Sequence, residues 1–409
     1  MRFALINPRW TFDGSIYFGC REPHLPLEYG YARALLEAAG HSVVLIDGQL
    51  ENLPLDEIRE RVVDFRPDFT VITTAPSYLF WRCAPPEVRV PQETLAAIRP
   101  HGGRIVIVGP HASTTPAATR RKLAADFVLK GECEELLPKL AAGITEDGLH
   151  ASDMTALPAL EWPAETLKRH THHHHRFDTA GAGPGAEMET SRGCPYHCTF
   201  CAKDNFRNTF RRRPLTVVAQ ELDDLIAKGV EYVYLIDEIF LPYRDVLCLL
   251  KDRSIKFGVQ TRIDLWKPEM IDLLGEAGCV SVEAGVESIT ESGRDHLDKR
   301  CRLSTDEIAS LLIHAKQRIA FVQANLLESK DDRPEDIRQW REHLISHGVW
   351  ANEPVPLFPY PGSPEYTRRW GAADDLAWER AHAHYLNDFS SFSDIQEQTP
   401  MPLVQLERA

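Results

Sequence analysis

Short apolar runs alternate with helix-period stretches over residues 1–145, and this alternation constrains the fold more than any other feature of the chain. Strands are predicted at Arg2–Asn7, Ser42–Asp47, Phe69–Thr74, Arg104–Val108 and Asp126–Leu129. Between the first two, Glu28–Ala39 places apolar residues at three- and four-residue spacing, the period of an amphipathic helix. Strands that are apolar at nearly every position need cover on both faces, the situation of a parallel sheet wrapped by crossover helices. The expectation is an α/β, doubly wound, flavodoxin-like domain, and such sheets bind ligands beyond the carboxyl ends of their strands. Three of those ends carry Thr73-Thr74-Ala75-Pro76-Ser77-Tyr78-Leu79, Gly109-Pro110-His111-Ala112 and Lys130-Gly131-Glu132-Cys133-Glu134-Glu135. Small and hydroxylated residues there would let a large cofactor approach the backbone. Read alone, they are also ordinary turn chemistry.

Composition narrows the function classes. The 409 residues carry 46 Lys+Arg against 60 Asp+Glu, a net charge of −14, with 43% hydrophobic and 26% charged residues. That is the range of globular proteins and argues against disorder or a disulfide-stapled miniprotein. Net acidity disfavours a nucleic-acid groove. No run reaches the roughly 18 apolar residues of a spanning helix. Met1-Arg2-Phe3 leads straight into an apolar run without signal-peptide features, so a cytoplasmic location is expected. In a reducing compartment the nine cysteines are poorly explained as disulfides.

Residues 146–184 have linker composition and contain His170-Thr171-His172-His173-His174-His175. Adjacent histidines on an extended chain alternate faces, so a polar contact is favoured over a metal site. Six cysteines are scattered singly, while Cys194, Cys198 and Cys201 form one C-x3-C-x2-C cluster after a strand predicted at Glu187–Ser191. Three thiolates on one loop suit three irons of a cubane 4Fe–4S cluster, leaving the fourth open to a chelating molecule. Zinc is the competing reading, but it normally takes four ligands, and His197 is cramped between two cysteines.

This loop, with Phe200 as the aromatic before the last cysteine, closely resembles the signature of the radical S-adenosylmethionine (SAM) superfamily. The resemblance implies that Cys194, Cys198 and Cys201 hold the cluster and that SAM chelates its open iron. Reductive cleavage of SAM then yields a 5′-deoxyadenosyl radical. The following residues extend the match. Helix Leu215–Lys228 leads to a strand ending in Asp237-Glu238, candidates for the SAM amino group. Ile255–Thr261 runs into Arg262, and Cys279–Ala284 runs into Gly285-Val286-Glu287-Ser288, where Glu287 or Ser288 would meet the ribose or carboxylate. Ala320–Leu327 carries Gln323 and Asn325 in place of a glycine-rich pattern, with Asn325 as the candidate contact. Val349–Phe358 is the sixth strand, and helices are predicted at 268–276, 304–318 and 334–347. Six β–α units make a partial (β/α)6 barrel, with active groups at strand C-termini as in complete barrels. Arg211–Arg213 is either a water-facing stripe or an anion-binding group.

A doubly wound domain before such a barrel resembles the cobalamin-binding subgroup of the superfamily. Its domains would be 1–145 for cobalamin, 146–184 as linker, 185–365 as barrel and 366–409 as an extension. The resemblance places cobalamin on Ser77, Tyr78, Leu79, Gly109, Pro110, His111, Gly131 and Glu132. The usual cobalt-binding histidine motif is absent, with Asp13-Gly14-Ser15 in its place. The lower face of cobalt would be vacant or met from residues 76–92, with His24 and His111 as weaker candidates. The implied activity is methylation of an unactivated carbon of a small molecule, supplied with electrons by a reductant such as flavodoxin or ferredoxin. A non-methylating cyclisation, oxidation or rearrangement is the alternative, and a non-catalytic metal-responsive protein a third.

Overall fold

The computed structural model describes residues 1–11, 23–170, 184–389 and 401–408. Two compact units share the chain: Met1–Trp162, Phe200–Thr209 and Phe358–Ala409 make the first, Pro163–Thr199 and Phe210–Leu357 the second.

In the first unit, β1 (Arg2–Asn7), β2 (Ser42–Asp47), β3 (Phe69–Thr73), β4 (Arg104–Val108) and β5 (Phe127–Val128) form one sheet. It is parallel throughout, in the order β2-β1-β3-β4-β5. This is the flavodoxin-like order, and its switch point lies between β1 and β3. The apolar runs explain the burial. All five residues of β3 are buried, and Ile6, Ile46, Ile72 and Ile107 pack against Ile58, Val62, Leu95 and Ile98 from two helices. From the helix Leu27–Ala38, Tyr29 donates its hydroxyl to the Val71 carbonyl of β3. Each fully buried aliphatic side chain contributes on the order of 2 kcal/mol.

The second unit holds a six-stranded parallel sheet in the order β13-β12-β11-β10-β9-β6. Its members are β6 (Gly185–Met188), β9 (Tyr232–Leu235), β10 (Lys256–Thr261), β11 (Cys279–Glu287), β12 (Phe321–Leu326) and β13 (Trp350–Ala351). Between β6 and β9, β7 (Ser191–Arg192) and β8 (Arg211–Arg212) pair antiparallel. The six parallel strands are the expected open (β/α)6 barrel. Along β11, Val282, Ala284 and Val286 are buried while Glu283, Gly285 and Glu287 are half-buried. The register sets Gln260, Glu283 and Gln323 in one row across three strands, so one face of the sheet is apolar and the other polar.

Two expectations are corrected in extent. The sixth barrel strand was expected over Val349–Phe358 but has only two residues. Pro354 and Pro356 lack the N–H groups that a ladder needs, and a lone bridge from Leu327 to Val355 marks where pairing stops. Residues from Phe358 onward group with the first unit rather than continuing the barrel to 365. There Trp378 stacks on His111 at 3.9 Å, and Lys122 pairs with Glu379 and Glu407. No described helix is long and apolar enough to cross a membrane.

Gly131 has φ 86°, and a Cβ there would collide with the His150 backbone. Gly40 has φ 81° with nothing nearby. Gly40→Ala should cost about 1–2 kcal/mol from the left-handed backbone alone. Gly131→Ala should cost clearly more in the same denaturant titration, because the strand-bridge backbone must also move.

Candidate active site

The barrel site starts from the stretch that leads into the cysteines. Asp237, buried just past β9, accepts hydrogen bonds from the Thr190 N–H (2.7 Å), the Thr190 hydroxyl (2.6 Å) and the Ser191 hydroxyl (2.6 Å). Burial pushes its carboxyl up to about 6, against the pull of those donors. Glu238 accepts the Gly193 N–H at 2.6 Å, immediately before Cys194. Beneath them, Arg192 pairs with Glu189 at 2.6 Å with both side chains fully buried. Arg213 donates to the Glu189 carbonyl and to Glu221. Removing one partner of such a buried pair costs about 3–5 kcal/mol. Arg213 is therefore neither a water-facing residue nor an open anion site, while Arg212 pairs with Asp245 and lies 4.1 Å over the Tyr243 ring. Asp237 and Glu238 thus stand where the sequence placed them, at a strand end, and their carboxylates hold the start of the cysteine stretch.

Cys194, Cys198 and Cys201 are half-buried and outside any disulfide, on a stretch without helix or strand. Cys194 and Cys198 fall in the second unit; Phe200, also half-buried, and Cys201 fall in the segment grouped with the first. Burial pushes the Cys198 thiol up to about 11, so a metal must displace its proton. Among the described residues no group of three or more His, Cys, Asp or Glu is gathered in advance as a metal site.

Around the barrel mouth, Arg262 makes two hydrogen bonds to Asp264, at 3.1 and 2.7 Å, and sits 4.2 Å over the Tyr196 ring. Its remaining Nη1 is buried without a hydrogen-bond partner. Glu287 pairs with Lys299. Ser288 is committed to Asp332, donating its hydroxyl at 2.7 Å, while Asp332 also accepts the Ile289 and Thr290 N–H groups. Asn325 accepts from Gln323 at 2.5 Å on the polar face of β12. Sequence reasoning missed Lys299, Glu189 and Asp332. Lys299 and Asp332 sit among charged neighbours, and Glu189 lies within the strand predicted at Glu187–Ser191, where nothing singled it out.

At the switch point of the first unit, Asn7 donates to Asp47 at 2.8 Å and accepts from the Trp10 indole at 2.9 Å. Across from β1, the chain after β3 buries Ser77 with no hydrogen-bond partner for its hydroxyl. The Tyr78 N–H donates to Glu28 at 3.3 Å, and the Arg207 guanidinium lies 3.9 Å over the Tyr78 ring. Glu132 is buried, accepts the Ser152 N–H at 2.8 Å, and faces Arg207 at 3.7 Å. Burial, reinforced by Glu134, pushes Glu28 up to about 8. Gly109 has φ 106°, and a Cβ would press on Thr74. Pro110 opens the short helix after it, and the Gly131 N–H donates to Ser113 at 2.9 Å. His111 bonds the Pro85 carbonyl through Nε2 at 2.8 Å, so that nitrogen carries the hydrogen and has no lone pair for cobalt. Burial lowers its pKa to about 3. The Leu79 side chain and Asp13–Ser15 lie outside the described residues, as do His172–His175. His170 is buried, with Nδ1 2.9 Å from the Gly185 carbonyl and Nε2 3.0 Å from Glu187, the polar contact favoured for it.

Comparison with known families identifies the two domains. The Radical SAM superfamily matches residues 188–339, and the B12 binding domain matches residues 21–141. This chain carries a B12-binding domain followed by a radical SAM domain. The anaerobic magnesium-protoporphyrin IX monomethyl ester cyclase of Rubrivivax gelatinosus is 22% identical over 87% of this chain and 68% of its own. The bacteriochlorophyllide d C-12(1)-methyltransferase of Chlorobaculum tepidum is 22% identical over 69% of this chain and 64% of its own. The chain thus spans about two thirds of these relatives. The radical SAM methyltransferase TsrM of Kitasatospora setae, solved with tryptophan and a SAM analogue, superposes with a TM-score of 0.70 at 17% identity. That likeness covers 90% of this chain and 76% of TsrM, and shows a shared fold.

The cofactors of this radical SAM protein are a 4Fe–4S cluster, SAM and cobalamin, and the residues present fit them. The candidate donors, Cys194, Cys198 and Cys201, are outside any disulfide and are the soft ligands that iron–sulfur clusters take. The buried, unpartnered Arg262 Nη1 suits an anionic group, and the unpartnered Ser77 hydroxyl suits a buried acceptor or donor of a large ligand.

Replacing Cys198 with Ala should abolish the cluster absorbance and bring iron to background in anaerobically reconstituted protein. Glu28 generates a pH prediction. Below about pH 4.5 the carboxyl is protonated in both folded and unfolded chains. From there to about pH 8 only the unfolded chain ionises, so stability falls as pH rises, by at most about 1.4 kcal/mol per unit. Glu28→Gln removes that loss. Its stability advantage over wild type should be small at about pH 5 and large at about pH 8.5, read by urea titration.

Proposed function

We propose that the chain methylates an unactivated carbon of a small molecule. The observation that carries this reading is the presence, in one chain, of the thiol loop seated by Asp237 and Glu238 and of a B12-type crevice with a buried, unpartnered Ser77 hydroxyl. Carbon methylation is a reaction that uses both. When bound, the cluster with SAM supplies hydrogen abstraction, and cobalamin supplies the methyl group. The chain's own residues do the holding. Cys194, Cys198 and Cys201 bind the cluster, and Asp237 and Glu238 fix where their stretch begins. Arg262 offers its unpartnered Nη1 to the SAM carboxylate, with Glu287 and Asn325 beside it on the polar face. The β3, β4 and β5 ends, through Ser77, Gly109 and Gly131, carry cobalamin. Gln260, Glu283 and Gln323 give the barrel face hydrogen-bonding groups for a polar part of the substrate. A one-electron reductant such as flavodoxin or ferredoxin completes the system. Similarity to the methyltransferase of Chlorobaculum tepidum supports the reading.

One observation favours a second reading. The Rubrivivax gelatinosus cyclase matches over more of this chain than that methyltransferase does, which points to cobalamin-assisted radical chemistry without methyl transfer. Trideuteriomethyl-SAM separates the two. Reconstituted protein, reductant and a metabolite extract from a strain lacking the gene should yield a product carrying the labelled methyl group. A new product without label, formed together with 5′-deoxyadenosine, would overturn methylation in favour of the second reading.

A further inference from the structure

Glu287, Asp298 and Arg300 are non-glycine residues with left-handed backbone, at φ 63°, 48° and 53°. They surround one buried cation. Lys299 lies between the last two and is only 2% exposed. Its ammonium donates to the Gly285 carbonyl at 2.9 Å and pairs with the Glu287 carboxylate. Arg300, by contrast, is exposed and Asp298 half-buried, and the two bond each other at 3.1 Å. The turn therefore keeps its outer charges in water and sends the middle one inside. Left-handed non-glycine residues cost about 1–3 kcal/mol each, and desolvating an ammonium adds to that. Such costs persist where a geometry is used.

The use is indicated by what the same turn touches. The Thr199 N–H donates to the Leu297 carbonyl at 2.9 Å. That bond docks the residue after Cys198 onto the turn, two residues before Lys299. Through Gly285 and Glu287 the same turn is tied to the end of β11, and Arg262 follows the paired strand β10. Arg262 is already bound to Asp264 by two hydrogen bonds. Lys299 and Glu287 are left as an opposed pair at the edge of the cysteine stretch.

We propose that Lys299 and Glu287 are positioning residues that set the reduction potential of the cluster held by Cys198. Reduction adds one electron from an external one-electron reductant to the cluster, with no proton and no bond change in the protein. In a poorly solvated site a neighbouring ammonium favours the added negative charge, and a carboxylate opposes it. Lys299 therefore eases reduction, and Glu287 restrains it. This rests on the assignment of Cys198 as a cluster ligand and is independent of whether a methyl group is transferred.

The test is an EPR-monitored redox titration of the anaerobically reconstituted full chain without SAM, with iron content measured in parallel. Lys299→Met should lower the reduction equilibrium constant about tenfold, equivalent to about 59 mV for one electron. Glu287→Gln should shift it the opposite way, and Lys299→Arg should titrate close to wild type. Iron-replete K299M and E287Q proteins that titrate at the wild-type potential, or move in the same direction, overturn the proposal. So does K299R shifting as far as K299M. Should K299M fail to retain iron, E287Q decides: a potential at or below wild type overturns the assignment.

Discussion

The Asp237 carboxylate, buried where β9 ends, gathers one backbone and two hydroxyl donors from Thr190 and Ser191. Those three bonds tie the chain after β6 to the end of its neighbouring strand. Glu238 continues the tie to Gly193, and the Glu189–Arg192 pair closes it from below. The cysteine loop, proposed to present thiolates to iron, has no helix or strand of its own to hold it. Its position is borrowed from the sheet through these acids. Without them, the donors of Thr190, Ser191 and Gly193 would be buried unpaired, which costs about 1–3 kcal/mol per group.

The two sheets solve different problems with the same parallel geometry. In the first unit, β3 is buried throughout, since helices cover both faces, and ligand chemistry is left to the strand ends. In the second, half-buried Glu283, Glu287, Gln323 and Asn325 of β11 and β12 alternate with buried apolar residues, so one face stays polar. Glu287 stands where the two demands meet. It ends β11 at a register shift, in a left-handed conformation, with its carboxylate turned to Lys299 rather than to water.

Much of this was legible from residue order. Apolar runs located all five strands of the first sheet, because strands buried on both faces tolerate few polar residues. The cysteine spacing marked the candidate cluster loop without any structure. Asp237, Glu238, Arg262 and Glu287 were found as strand-end residues because the β–α period shows where strands stop. What was not legible was where their side chains point. Arg213 read as one of three equivalent arginines, yet Glu221 and the Glu189 carbonyl hold it in the interior. His111 read as a cobalt candidate, yet Pro85 and Trp378 occupy it. Lys299 lies between Asp298 and Arg300 and was not singled out from the sequence; only the alternation of backbone conformation buries this middle member.

Sequence by itself determined the α/β class, the order of the two sheets and the chemistry of the thiol loop. These depend on periodicity and spacing, which are properties of neighbours along the chain. Tertiary structure decided which carboxylates hold the loop, which turn docks beside Thr199, and which polar groups stay unpartnered at Ser77 and Arg262. Those outcomes depend on pairings between residues dozens of positions apart. Their sign is set by burial, since a charge that costs little in water must find a partner or a purpose once the fold removes it from solvent.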